Sequence, residues 1–259
     1  MSKLSDILRE RSHFIIDLDG VVYHGNQLID GAADAIRIFR DRGKTIGFLT
    51  NNSTKGSREI AQKLNQLGID CSEREVCTSM DATVDFMSRS EKYKRMSIKV
   101  LGSGEFKTKL SKNSLNVVDS EEFECLVVGM DPQFTYETVA KVLNPLIKGC
   151  AFIVCNEDGF YPSNGVWMPG CGALVGALRG SSGRIPDEVV GKPNPLFLKN
   201  FVDQLDGDLS KTLVIGDSLE SDVWMAKSVG VPSIWISEKP CDLDGSFGLK
   251  SLIDVANMM

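Results

Sequence analysis

A chain of 259 residues with 42% hydrophobic and 25% charged residues has the composition of an ordinary globular protein and is long enough for two domains. Its 35 acidic and 29 basic residues leave a net charge of −6, which argues against sequence-independent binding to nucleic acid or to an anionic membrane. The seven cysteines show no C-x-x-C pairing and there are two histidines, so neither a disulfide framework nor a zinc site is expected, and oxygen atoms are the ligands this chain can offer a metal.

The opening segment "MSKLSDILRERS" (1–12) lacks the apolar core of a signal peptide, and no later run approaches the roughly 18 apolar residues of a membrane span, so a cytoplasmic protein is expected. Next comes "FIIDLDGVVYHG" (14–25), in which a continuous apolar run suits a strand buried on both faces of a parallel sheet. Asp17 and Asp19 then stand where such a strand ends, and open α/β sheets bind ligands beyond the carboxyl ends of their strands. "AADAIRIFRDRG" (32–43) reads as a helix closed by Gly43, "TIGFLTNNS" (45–53) as a strand and turn, and "REIAQKLNQLG" (58–68) as a helix closed by Gly68. A second β-rich series follows at 97–103, 125–130 and 151–158, with a helix over 135–147. "RGSSGRIP" (179–186) has the composition of a linker. "EVVGKPNP" (188–195), "TLVIGDSLESD" (212–222) and "VPSIWIS" (231–237) resume the first pattern. The expected organisation is therefore an α/β protein with a parallel-sheet core formed by 1–79 and 180–259, and an α/β domain inserted at 80–179.

Four of the outer apolar runs end in polar turns: "DLDG" (17–20), "TNNS" (50–53), "GKPNP" (191–195) and "GDSLESD" (216–222). One parallel sheet would gather Asp17, Asp19, Thr50, Lys192, Asp217 and Asp222 at a single edge. Carboxylates about 4 Å apart repel by about 1 to 4 kcal/mol for effective dielectrics of about 80 to 20, so such a cluster needs a cation or some of its acids must protonate; Lys192 supplies one positive charge and a divalent ion would supply two more. Mg²⁺ suits carboxylate and carbonyl oxygens and accepts a substrate phosphate oxygen. In such a site Asp17 can attack phosphorus to form an aspartyl phosphate. Asp19 can protonate the departing oxygen and later deprotonate water, with Lys192 and Thr50 stabilising the transferring group. Each turn also has a plain reading, in which "TNNS" and "GDS" are helix N-caps and Lys192 is a solvated surface charge.

In this order, "DLDGVVYHG", "LTNNS", "GKPNP" and "GDSLESD" resemble the four motifs of the haloacid dehalogenase superfamily. "GMDPQFTYETV" (129–139) and "CNEDGFYPSNGVWMPGCGA" (155–173) resemble its subfamily IIA, the NagD and p-nitrophenylphosphatase-like phosphatases. The resemblance spans nearly the whole chain. It implies a Rossmann-like core, an inserted α/β cap, Mg²⁺-dependent hydrolysis of small phosphate esters, and a homodimer formed through the cap. It places Asp17 as nucleophile and Asp19 as acid and base. It puts Thr50, Asn51 and Asn52 on the phosphate, Lys192 on the developing charge, and Asp17, Asp19 and Asp217 on the metal, with Asp222 orienting metal-bound water. The loop 156–162, with Asp158 and Tyr161, would face the leaving group. One departure lies there, where a phrase that usually reads Thr-Asn-x-Asp begins with Cys155.

Other signals are weaker. "GCGALVG" (170–176) is a near miss to a dinucleotide fingerprint and suits close packing at a helix start, while "GSGEF" (102–106) suits a turn. Tyr23 and His24 are expected as exposed loop residues. A dehalogenase would use the same nucleophile but has no need of an acid at Asp19, and a phosphoacceptor scaffold has no need of an acid/base with an inserted cap.

Overall fold

The computed structural model describes residues 3–163, 166–239 and 245–259. Cys241, one of the seven cysteines, lies outside the described residues, and the other six are unpaired thiols. Among the described residues no helix is long and apolar enough to cross a membrane.

Six parallel strands form the first sheet. From edge to edge they are Ser246–Leu249, Ser233–Ile236, Thr212–Gly216, His13–Ile16, Thr45–Thr50 and Val76–Thr78. The apolar run after His13 explains its central position: Phe14 and Ile16 turn into one buried cluster with Ile36, Phe39, Ile60 and Leu64, and Ile15 turns into another with Phe197, Phe201 and Met225. Helices therefore cover both faces, as a strand buried on both sides requires. In chain order the strands run 6-5-4-1-2-3, so the winding direction reverses between His13–Ile16 and Thr212–Gly216, where Ile16 pairs with Ile215. A crevice opens at the carboxyl ends of strands at such a reversal, and Asp17 and Asp217 are the next residues of these two strands.

The second sheet is also parallel, in the order Glu188–Val189, Ala151–Val154, Cys125–Val128, Ser97–Leu101 and Asn116–Val117. Two sequence expectations differ here. The sequence places Glu188–Val189 in the first sheet, yet it pairs with Ile153–Val154 of the second. The stretch expected as a linker from 179 is helical up to Ser182, where Gly183, at φ 72°, closes the helix Cys171–Ser182. Ser and Gly are common in linkers, but Leu174, Val175 and Leu178 bury this helix, and packing outweighs composition. The carboxyl ends of the two sheets meet, with the Met130 N–H donating to Ser53 Oγ at 2.8 Å and the Asn156 side-chain amide to the Asn51 carbonyl at 2.7 Å. Beside this seam an antiparallel hairpin, Phe160–Ser163 with Val166–Pro169, carries exposed Phe160 and Trp167, whose rings pack edge to face.

Candidate active site

Asp17 ends the central strand, its N–H donating to the Ile215 carbonyl at 2.8 Å, so its carboxylate is fixed between the two strands of the reversal. Gly20 then turns the chain at φ 87°, and a Cβ there would lie 1.9 Å from Asp217 Oδ2. Only glycine satisfies both the left-handed backbone and the carboxylate beside it. On the neighbouring strand Thr212–Gly216, a wide π-type turn, Leu219–Val223, carries Asp222 back beneath the strand end, where the Ser218 N–H donates to Asp222 Oδ2 at 3.2 Å.

Lys192 reaches this point from the second sheet. Its ammonium donates to Asp17 Oδ1 and, at 2.7 Å, to Asp222 Oδ1, with 3% of the residue exposed. The reading of Lys192 as a solvated charge is thus overturned, although Asn194 in the same turn does cap the helix Pro195–Gln204, accepting from the Leu196 N–H at 2.9 Å. Burial alone would depress the Lys192 ammonium, but Asp17 and Asp222 outweigh it and hold the amine charged, well above the usual lysine range. Burial raises the Asp17 carboxyl; Lys192 offsets part of this, while Asp222 and Asp217 add to it.

Asp17, Asp217 and Asp222 each bring a carboxylate oxygen within 4.8 Å of the others. Asp217 opens onto solvent at the rim, yet the protein around it, followed by the charge of Asp222, pushes its carboxyl up to about 7. With all three carboxylates ionised, one ammonium leaves this cluster with a net charge of −2. An all-oxygen donor set with that charge fits a hard divalent cation. Asp19 does not bring its carboxylate into this cluster. It is half-buried, its carboxyl raised by burial and drawn down by Lys63, Lys192 and His24.

The TNNS turn is organised differently from expectation. Thr50 is buried, and its Oγ accepts from the Asn52 N–H at 3.1 Å, leaving the hydroxyl proton without an acceptor among the described residues. The Asn51 side chain clamps the two sheets: its Oδ1 accepts from the Lys192 N–H at 2.8 Å, and its Nδ2 donates to the Lys192 carbonyl at 3.2 Å and to Asp158 at 3.0 Å. Asn52 Oδ1 accepts from the N–H groups of Thr54 and Lys55, both at 2.9 Å. These side chains hold the loop and Lys192, so what this turn can offer a phosphate is the Thr50 hydroxyl and main-chain amides.

Asp158 is therefore brought to the site, its carboxyl raised by burial and partly drawn back by the Asn51 hydrogen bond. Tyr161 stands on the exposed hairpin and makes no hydrogen bond to a site residue among those described. Sequence reasoning missed Asn156, which is 3% exposed and donates to the Asn51 carbonyl at 2.7 Å while accepting from the Asp158 N–H at 3.1 Å. Its position falls in the loop 156–162 and on the asparagine of the Thr-Asn-x-Asp phrase, but no role was given to it there. Cys155 faces the core of the second sheet, where Thr83 donates to its sulfur at 3.4 Å, so the departure at this position does not touch the site. Tyr23, expected beside His24 as an exposed loop residue, is 1% exposed beneath the helix Ser57–Gln66.

Residues 14–116 match the haloacid dehalogenase-like hydrolase family, and residues 189–240 match a pattern described as HAD-hydrolase-like. An acid sugar phosphatase of Staphylococcus aureus is 31% identical over 250 residues, covering 96% of this chain and 92% of that protein. The chain belongs to the haloacid dehalogenase-like hydrolases. Within that family it is a phosphatase of the NagD and p-nitrophenylphosphatase kind. The 4-nitrophenylphosphatase of Thermotoga maritima superposes with a TM-score of 0.88 at 29% identity, over 97% of this chain and 98% of that one. A glycerol phosphate phosphatase of Mycobacterium tuberculosis, solved in complex with magnesium, shares the fold at a TM-score of 0.84 and 24% identity, over 96% of this chain and 78% of that one.

Proposed function

We propose that this hydrolase cleaves phosphomonoesters of small metabolites, sugar phosphates among them, through an aspartyl-phosphate intermediate on Asp17, and that it does so with Mg²⁺. The observation that carries this reading is the buried Asp17–Lys192–Asp222 chain at the winding reversal, beside the half-buried Asp19. Asp17 and Asp217 would hold the ion with the Asp19 main chain, and Asp222 would orient metal-bound water. When bound, the ion supplies the positive charge that brings a phosphate dianion up to a cluster of carboxylates.

The chain's own groups do the rest. Lys192 keeps Asp17 aimed and, staying charged, stabilises negative charge on the transferring phosphoryl group; the Thr50 hydroxyl donates to it from the other side. Asp19, with its carboxyl raised by burial, carries a proton for the leaving oxygen and takes one from water in the second step. The second-sheet unit, set at 80–179 by sequence and extended by the pairing of Glu188–Val189, acts as a cap, with Asp158 facing the leaving group and Asn51 and Asn156 holding cap to core. The exposed Phe160 and Trp167 on its hairpin suit an interface with a second copy, and the unpaired thiols suit the cytoplasm.

The test is phosphate release from p-nitrophenyl phosphate and a panel of phosphorylated metabolites, with Mg²⁺ or with EDTA. Turnover that needs Mg²⁺ is expected. Full activity in EDTA would remove the metal assignment, and no release from any ester would remove the phosphomonoesterase reading.

A further inference from the structure

Near Asp19, among the described residues, one buried hydroxyl has no hydrogen-bond partner and one ammonium has no carboxylate partner. The Tyr23 hydroxyl is buried and makes no hydrogen bond, in a residue 1% exposed. Burial, then Asp19 and then Asp17, push that hydroxyl's ionisation far up, so it remains a neutral donor and stands within the field of both carboxylates. Above its ring, 3.3 Å from the centroid, lies the ammonium of Lys63 from the helix Ser57–Gln66. Lys63 is half-buried, yet among the described residues no carboxylate oxygen lies within ion-pair distance of it; burial and Lys55 lower its proton affinity while Asp19 raises it.

A half-buried ammonium is ordinarily paired, because desolvating it without a counter-charge is costly. Here a cation–π contact holds it in place without neutralising it. Its location limits what it can serve. Asp19 is joined to Tyr23 by a backbone bridge and Lys63 lies over the Tyr23 ring, so the carbon skeleton on an oxygen that Asp19 protonates has to pass close to Lys63. Lys63, Lys192 and His24 all draw the Asp19 carboxyl down, so an anion here meets cationic groups, and the opposing charges that reach the Tyr23 hydroxyl are those of Asp19 and Asp17.

We propose that Lys63, positioned by the Tyr23 ring, binds the leaving group and selects phosphomonoesters whose alcohol carries a second anionic group, a carboxylate or another phosphate. This rests on the phosphatase reading above and names the substrate class of that site. A charge-assisted hydrogen bond of this kind is worth roughly 10- to 100-fold in kcat/KM.

The experiment compares two esters with one carbon skeleton, 3-phosphoglycerate and glycerol 3-phosphate, which differ in a carboxylate against a hydroxymethyl group, with p-nitrophenyl phosphate as reference. The wild-type enzyme is expected to favour 3-phosphoglycerate. Lys63→Met should lower the ratio of the two kcat/KM values roughly 10- to 100-fold, chiefly through KM for the carboxylated ester, and Lys63→Arg should keep most of the preference. Because both rates come from the same preparation, partial misfolding of a variant cancels from the ratio. A wild-type ratio of one or less, or a ratio that Lys63→Met leaves unchanged, would overturn the inference while p-nitrophenyl phosphate turnover upholds the phosphatase reading. Absence of turnover with all three esters would remove that reading and this inference with it.

Discussion

Replacing Lys192 by methionine keeps most of the side chain's volume and removes its charge, leaving three carboxylates with no cation between them. Their oxygens lie within 4.8 Å of one another, and at that separation two full charges repel by about 3.5 kcal/mol at an effective dielectric of about 20. Removing one partner of a buried ion pair costs about 3 to 5 kcal/mol, so the variant should lose that much stability at pH 8 in EDTA. The pH dependence has a definite sign. The Asp17 carboxyl is already raised by burial, and loss of Lys192 raises it further. A carboxyl raised in the folded state contributes stability that is complete at low pH and lost as pH rises through the raised value. The deficit of Lys192→Met should therefore shrink at pH 5.5, where the cluster takes up protons, and Mg²⁺ should restore part of it at pH 8. Urea unfolding at both pH values, with EDTA and with Mg²⁺, measures this. A variant that matches the wild type at pH 8 in EDTA, or whose deficit grows on acidification, would refute the arrangement of charges described for the site.

Asp19→Asn should slow release of an alkoxide leaving group by roughly 10²- to 10⁴-fold, the range of general acid catalysis, and release of p-nitrophenolate far less, because that leaving group needs little protonation. Single-turnover kinetics separates the two, and equal losses would move the proton donor elsewhere. The Glu105 carboxyl, on the helix Gly104–Lys112, is pushed up to about 7 by burial and by Glu59 across the seam between the sheets, with Lys109 offsetting part of this. Its contribution to stability is lost as pH rises through about 7, so Glu105→Gln should gain on the wild type between pH 5 and pH 8, by about 1 kcal/mol or less for so exposed a pair. Thermal melts across that range check it. Metal binding must displace the proton that Asp217 keeps up to about 7, so Mg²⁺ affinity should rise from pH 5.5 to pH 8, and calorimetry should detect proton release at the lower pH.

The central strand and the place of its carboxylates were legible because three consecutive apolar residues permit a strand buried on both faces, and such a strand must end at the sheet's edge. Lys192 reaches Asp17 and Asp222 by a route that the sequence does not show. Its strand is two residues long and pairs in the second sheet, and a two-residue strand has no periodicity to read. Asn51 and Asn52 illustrate a different limit. Residue type marks them as hydrogen-bonding groups, but only the fold shows that Asn51 spends its side chain on Lys192 and Asp158, more than a hundred positions away. Tyr23 looked like a loop residue because "VVYHG" follows a turn; the flap it belongs to folds back so that Val22 and Tyr23 join the core. Asn156 and the open face of Lys63 come from contacts between distant segments, which local pattern cannot encode.

The central claim is that Asp17 carries the phosphoryl group between two half-reactions. Rapid acid quenching of the Mg²⁺-loaded enzyme with a ³²P-labelled phosphomonoester, followed by peptide mapping, tests it most directly. An acid-stable, hydroxylamine-labile label on the peptide containing Asp17, absent in Asp17→Asn, is the expected result. Turnover without any covalent label in the first millisecond-to-second phase, or a label that persists in Asp17→Asn, would contradict the account.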